Sequence, residues 1–144
     1  IENIASEWET ITDGSLGSHD AYQLRLTVDM TKENTWRLSN GKNEYLEFYV
    51  NPGARMIVAR RNGSTGASSF SASFSLPALR MPVEGNEDTI ELDIFVDRSS
   101  VEFFTADGTS AMTMIVFPEN IYDKIECASG EIDGKVRSLA RIWK

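Results

Sequence analysis

Hydrophobic and polar residues alternate with a period of two along much of this 144-residue chain, as they do in β-strands with one buried face. In the clearest segment, Ile90, Leu92, Ile94 and Val96 alternate with Glu91, Asp93, Phe95 and Asp97. Residues 101–104 resume the apolar run after a polar break, and residues 111–117 follow a turn at Asp107-Gly108. Asp-Gly between two β-prone runs is a strong hairpin signal because Gly accepts the positive φ of a tight turn. Thr89 to Pro118 therefore predicts a three-stranded antiparallel meander.

The same pattern predicts further strands on both sides of this meander. Segment 22–30 alternates cleanly, with Tyr22, Leu24, Leu26, Val28 and Met30 on one face. The other predicted strands are 4–11, 35–38, 44–50, 55–61, 122–128 and 135–143, with 70–74 as either a thin strand or an ordered loop and 81–88 as a connector. No stretch has a helical period. About ten short strands punctuated by turn residues predict an all-β fold, a two-sheet antiparallel β-sandwich of jelly-roll or lectin-like type. At this length we expect one domain over residues 1–144.

Composition and charge narrow the classes of partner. The net charge is −8 and the pI is near 4.6, so nucleic acid and anionic membranes would be repelled, whereas a neutral sugar would not. No apolar run has the length of a membrane span, and no targeting segment opens the chain. Cys127 is the only cysteine and His19 the only histidine, so we predict no disulfide, no cofactor and no zinc site, with His19 solvated in a loop. A start at Ile1 suggests a piece of a longer protein.

A family resemblance lies within the meander. Residues 94–108, IFVDRSSVEFFTADG, followed by Phe117-Pro118, resemble the signature hairpin of the C-terminal β-sandwich of levanases, inulinases and invertases (glycoside hydrolase family 32). They also resemble the related fructan-binding carbohydrate-binding modules. Residues 57–66 and 79–82 are similar to the basic-turn and Arg-containing segments of those modules. The resemblance implies a non-catalytic module that anchors a secreted, extracellular levanase-type enzyme to fructan or fructo-oligosaccharide through terminal fructose. The alternative that it implies is a structural sandwich that packs on the catalytic β-propeller of the parent chain and binds no sugar.

A fructose site needs charged groups that bracket hydroxyls and an aromatic ring, because charge-assisted hydrogen bonds are the stronger ones. The candidate substrate-binding residues are Asp97, Arg61, Arg98, Glu102, Arg80, Glu47 and Trp36. Each has a structural interpretation as well. Asp97 is suited to fixing its own turn or pairing with Arg61. Glu47, Arg80 and Glu102 are also typical of a solvated face, and Trp36 is also typical of a core.

Catalysis by this chain alone is not expected. The levanase resemblance places the catalytic residues in an N-terminal propeller, and no Asn-Asp-Pro-Asn or Arg-Asp-Pro segment occurs. Glu126-Cys127 echoes that family's general-acid segment but lacks the following Pro, so we interpret it as coincidence. A calcium-dependent sugar module is a weaker alternative, for which Glu84, Glu87 and Asp88 would be the ligands because calcium prefers clustered oxygens.

Overall fold

The computed structural model describes residues 2–5, 8–12, 14–16, 21–41, 44–61, 79–97, 99–105, 108, 110–116, 120–130 and 132–142. These residues form twelve strands and no helix. The strands are β1 Glu2–Ala5, β2 Glu9–Thr10, β3 Tyr22–Asp29, β4 Thr35–Ser39, β5 Tyr45–Asn51, β6 Met56–Arg61, β7 Leu79–Pro82, β8 Thr89–Val96, β9 Ser100–Thr105, β10 Ala111–Ile115, β11 Lys124–Cys127 and β12 Gly134–Ile142. They pair antiparallel in two sheets, which confirms the predicted all-β sandwich.

The first sheet has seven strands in the order β1-β12-β3-β8-β9-β10, and β2 pairs with β12 beside that path. The predicted meander is confirmed, since β8, β9 and β10 are neighbours in the sheet and consecutive in the chain. Asp97 N donates to Ser100 O at 3.1 Å to close the first turn. The longest ladder joins β3 to β8, from Tyr22↔Val96 to Asp29↔Thr89. The signature hairpin therefore lies inside the sheet, flanked by β3 and β10.

The second sheet has five strands in the order β11-β4-β5-β6-β7. The strands predicted over 44–50 and 55–61 are confirmed as β5 and β6, which form a hairpin with Leu46↔Arg61 and Asn51↔Met56 at its two ends. Pro82 lies in β7, at the edge of this sheet, where its missing N–H breaks no ladder. The segment around Arg80, which the sequence suggested as a connector, is therefore an edge strand.

The core lies between the inner faces of the two sheets. On β3 the predicted inward residues Tyr22, Leu24, Leu26, Val28 and Met30 are all buried. Phe48 of the five-stranded sheet meets Phe103 of the seven-stranded sheet edge to face, with ring centroids 5.3 Å apart. Burying a side chain of this size stabilises a fold by about 1.5–3 kcal/mol. Alternation of apolar and polar residues thus separates this core from the two outer faces.

Three sequence-based predictions differ from the structure or lie outside it. The single strand expected over 4–11 is two strands, β1 and β2, which pair with different parts of β12. The segment 70–74 and His19 lie outside the described residues. Within the residues that the structure describes, no helix is long and apolar enough to cross a membrane.

Candidate functional site

The turn after β8 is held by hydrogen bonds to one carboxylate oxygen of Asp97. Asp97 Oδ1 accepts from the backbone amides of Ser99 and Ser100, both at 2.8 Å. It also accepts from their hydroxyls, at 3.2 and 3.4 Å. An aspartate that accepts amides two and three positions later fixes a tight turn. The structural role predicted for Asp97 is therefore present, and it occupies only one of the two carboxylate oxygens.

The hydrogen bonds at this corner also determine the charge of Asp97. Partial burial raises the pKa of Asp97, but the amides and hydroxyls of Ser99 and Ser100 outweigh burial. The pKa of Asp97 therefore lies below its ordinary value, because these donors stabilise the ionised form. At neutral pH the corner presents a full negative charge, with Oδ2 free of any partner among the described residues.

A hollow of ≈ 320 Å³ opens beside this corner on the outer face of the seven-stranded sheet. We call it the corner hollow, and it is lined by Ala21, Phe95, Val96, Asp97, Ser100, Glu102, Phe104 and Leu139. The hollow brings together two of the predicted site residues, Asp97 and Glu102. Its volume lies at the lower end of the range found for small-molecule sites.

The floor of the corner hollow is aromatic. Phe95 and Phe104 are half-buried and meet edge to face at 5.6 Å between ring centroids. Glu102 lies opposite Phe95 in the β8–β9 register, and its carboxylate pairs with no described residue. Sequence reasoning missed the two phenylalanines as site residues. The signal was present, since the alternation placed Phe95 on the outward face among acids.

Trp36 requires a correction. It was a candidate platform for a sugar ring, but only 4% of it is exposed and it stacks on Phe48 at 5.3 Å. Because β4 turns Trp36 inward, its ring packs in the core, as the alternative interpretation predicted.

Glu47 lies on the opposite side of the sandwich from the corner hollow. It points outward from the five-stranded sheet, between Arg37 and Arg60. Arg37 Nη2 and Nε both bond Glu47 Oε1, and Arg60 Nη2 lies 3.6 Å from Glu47 Oε2. Glu126 is opposite Arg37 on β11. These four residues form an alternating charge row across β11, β4, β5 and β6.

Of the three remaining candidates, the structure describes the side chain of Arg80 alone. Arg80 is exposed on β7 of the five-stranded sheet, opposite Val58. Arg61 ends β6 in the same sheet, and its side chain lies outside the described part of the structure, so its pairing with Asp97 stays a prediction. Arg98 lies outside the described residues as well. No group of three or more His, Cys, Asp or Glu able to hold a metal ion occurs in the described ranges, where Glu84, Glu87 and Asp88 also lie.

Trp8 lies among basic side chains. It is half-buried over the outer face of the seven-stranded sheet. Three cations lie over its ring: Arg25 at 5.1 Å, Lys135 at 5.0 Å and Arg137 at 4.3 Å. Arg25 also pairs with Asp93, with Nε 2.7 Å from Oδ1. This arrangement ties the N-terminal segment to β3 and β12.

Both the sequence and the fold have relatives among known proteins. Residues 3–144 match the family model described as glycosyl hydrolases family 32 C terminal. A levanase of Bacillus subtilis (strain 168) is 27% identical over 161 residues, which cover 99% of this chain and 23% of the levanase. The exo-inulinase of Aspergillus awamori has a TM-score of 0.71 at 21% identity, over 99% of this chain and 30% of that chain. The sucrose-6-phosphate hydrolase of Lactobacillus gasseri has a TM-score of 0.72 at 22% identity, over 94% of this chain and 28% of that chain.

The matches cover only part of each relative. This chain spans 23% of the levanase and no more than 30% of the two solved structures. The likeness to those two structures shows the fold alone. The matching segment is the C-terminal part of such enzymes, as the family description indicates.

Proposed function

From the premise that this chain belongs to the C-terminal family of the family 32 glycosyl hydrolases, we propose that it is a non-catalytic fructan-binding module of a secreted, fructan-degrading enzyme. The observation that carries the proposal is the corner hollow, in which Asp97 and Glu102 lie together with the aromatic pair Phe95 and Phe104. In this role the module holds its parent enzyme on fructan through the terminal fructose and breaks no bond.

The chemistry of the corner hollow suits a neutral polyol. Asp97 Oδ2 and the Glu102 carboxylate accept hydrogen bonds from neighbouring hydroxyls, and charge-assisted bonds are about twice as strong as neutral ones. The faces and edges of Phe95 and Phe104 supply apolar contact for the carbon side of the ring. A few such bonds correspond to weak binding, from about −4 to −8 kcal/mol or millimolar to micromolar Kd.

The decisive variant is Glu102→Ala, because the Glu102 carboxylate bonds no described residue and the fold does not depend on it. We expect calorimetry with levan, inulin and sucrose to give measurable heat for the wild-type chain. Glu102→Ala should weaken binding about tenfold, since one charge-assisted bond is lost. Unfolding by urea should be unchanged for this variant.

The matched control is Glu91→Gln. Glu91 is exposed on β8 of the same sheet but lies outside the corner hollow, opposite Thr27. It changes the net charge like the test variant and should leave affinity within about twofold, because long-range charge affects a neutral sugar little. Equal affinities for Glu102→Ala and the wild type, or no heat with any fructan at millimolar concentration, would rule out the proposed site.

A second candidate function is packing on the catalytic domain without sugar binding. One observation favours it: Ile115 is 51% exposed and lies opposite Ser100, beside the corner hollow. Together with Phe95 and Phe104 it gives this outer face an apolar character of the kind that interfaces use. Gel filtration of this chain mixed with the separately expressed catalytic domain of a related levanase tests it. A stable complex that Ile115→Asp abolishes supports packing, whereas two separate peaks contradict it.

A further inference from the structure

We propose that the outer face of the five-stranded sheet carries a second saccharide site, separate from the corner hollow, that binds a stretch of polysaccharide laid across β11, β4 and β5. Two hollows lie there, of ≈ 540 Å³ and ≈ 190 Å³, and both are lined by Arg37 and Glu126. Because they share these two side chains, they are two parts of one cross-strand groove.

The wall of the cross-strand groove is preorganised. The Arg37 guanidinium lies over the Tyr45 ring at 4.1 Å and bonds Glu47 through Nε and Nη2. Its Nη1 has no partner among the residues that the structure describes. A guanidinium held on two sides presents its remaining N–H groups in a fixed direction, which lowers the entropy cost of binding a hydroxyl oxygen.

Carboxylates that can accept hydrogen bonds lie near the Arg37 guanidinium. Glu126 is exposed and lies next to Arg37 in the register, and Lys124 Nζ is 3.6 Å from Glu126 Oε1. Glu44, which is 5% exposed, lines the larger hollow and accepts from Asn40 Nδ2 at 3.1 Å. A buried carboxylate in the wall of a groove is a costly feature that requires polar partners.

The alternation of signs selects the class of ligand. The groove carries Arg37 and Lys124 beside three acids, Glu44, Asp123 and Glu126, and the chain has a net charge of −8, so an anionic polymer is repelled. A neutral chain with many hydroxyls can use donors and acceptors together. The strands are about 4.8 Å apart, so the groove extends over roughly 10 Å from β11 to β5. It therefore fits more than one ring and does not require a chain end.

That the polysaccharide is fructan rests on the proposed function, whereas the groove itself does not depend on it. Heteronuclear NMR separates the two sites, because amide shifts report on each site independently. The probe is a fructo-oligosaccharide prepared from levan, added to the 144-residue chain. We expect the amides of Arg37, Tyr45 and Glu126 to shift in the wild type and equally in Glu102→Ala.

The double variant Arg37→Ala/Glu126→Gln should lose the groove shifts, with at least about a tenfold weaker groove Kd. Its matched control is Lys32→Ala/Glu33→Gln, which makes the same charge changes on the exposed β3–β4 turn and should retain them. Groove amides that stay unmoved while the hollow amides shift would overturn this inference, and the charge row is then a solvated face. Shifts of the groove amides without shifts of the amides around the corner hollow would support this inference and contradict the proposed fructose site at the corner hollow. Absence of both sets of shifts would overturn both.

Discussion

Asp97 both builds a turn and lines the corner hollow. Its Oδ1 closes the β8–β9 turn by accepting from Ser99 and Ser100, and the residue is one of those that line the hollow. The sequence predicted both roles as alternatives, and the geometry makes them compatible. The hollow itself could not be predicted, because Ala21, just before β3, and Leu139 of β12 reach it from parts of the sequence far from β8 and β9.

The lowered pKa of Asp97 gives a pH dependence with a defined sign. The unfolded state holds the proton more tightly, so the contribution of Asp97 to stability is complete above its unfolded pKa of about 3.9 and is lost as pH falls through the lower folded value. We expect Asp97→Ala to cost about 1 kcal/mol at pH 7, discounted for solvent exposure, since it removes a turn acceptor.

Urea titrations of wild type and Asp97→Ala at a series of pH values check this prediction. The difference in the free energy of unfolding should be constant above about pH 5 and shrink below pH 4. Asp97→Asn, which keeps the acceptor oxygen but not the charge, should fall between the two proteins at neutral pH. A difference that persists unchanged at the lowest pH would show that the charge of Asp97 contributes nothing to the turn.

Among the elements, the β5–β6 turn shows how a local strain is compensated. Arg55 has φ = 50°, a left-handed conformation that side chains with a Cβ disfavour. Its guanidinium donates to Val83 O and Glu87 O, both at 3.0 Å, and so holds the 83–88 connector against the turn. These bonds explain why an arginine occupies a position that glycine would adopt more easily.

A pair of variants at Arg55 separates strain from hydrogen bonding. Arg55→Ala keeps the strained φ and loses both side-chain bonds, so we expect a loss of about 2 kcal/mol. Arg55→Gly loses the same bonds but relieves the strain, and should be about 1 kcal/mol more stable than Arg55→Ala. Thermal and urea unfolding measure both. A glycine variant less stable than the alanine variant would contradict the strain argument.

Strand positions were largely predictable from alternation, whereas strand partners were not. β3 and β8 follow from their own residues, but their pairing joins residues at least sixty positions apart in the sequence, such as Tyr22 with Val96. The charge row likewise depends on how four strands are aligned with one another, and the sequence of any one strand does not determine that alignment. β7 was missed because Pro82 is a breaker in isolation and becomes acceptable only at an edge.

At the scale of the whole molecule, the two sheets are joined by aromatic contact. Phe48 stacks on Trp36 within its own sheet and meets Phe103 of the other sheet at an angle of 65°. Such edge-to-face pairs contribute about 0.5–1.5 kcal/mol beyond the area that they bury. The Phe48–Phe103 contact lies in the core. The corner hollow is on the outer side of one of the two sheets that it joins, and the charge row is on the outer side of the other.

A double-mutant cycle on Phe48→Leu and Phe103→Leu tests this link. Each leucine should cost about 1–1.5 kcal/mol, and the double variant should cost less than their sum by about 0.5–1 kcal/mol, because the pair is lost once. The same cycle with Phe95→Leu in place of Phe103→Leu should be additive, since Phe95 faces outward. Additivity in both cycles would show that the sheets are held by general burial and not by this pair.

The pairing of β1 with β12 has a mechanical consequence. Glu2 lies opposite Ile142, and the ladder runs inward from there to Ala5 opposite Leu139. Tension applied between Glu2 and Ile142 therefore breaks the hydrogen-bonded pairs of this ladder one after another, and β1 separates from β12 from that end. The molecule should accordingly yield at a low force when it is stretched between Glu2 and Ile142.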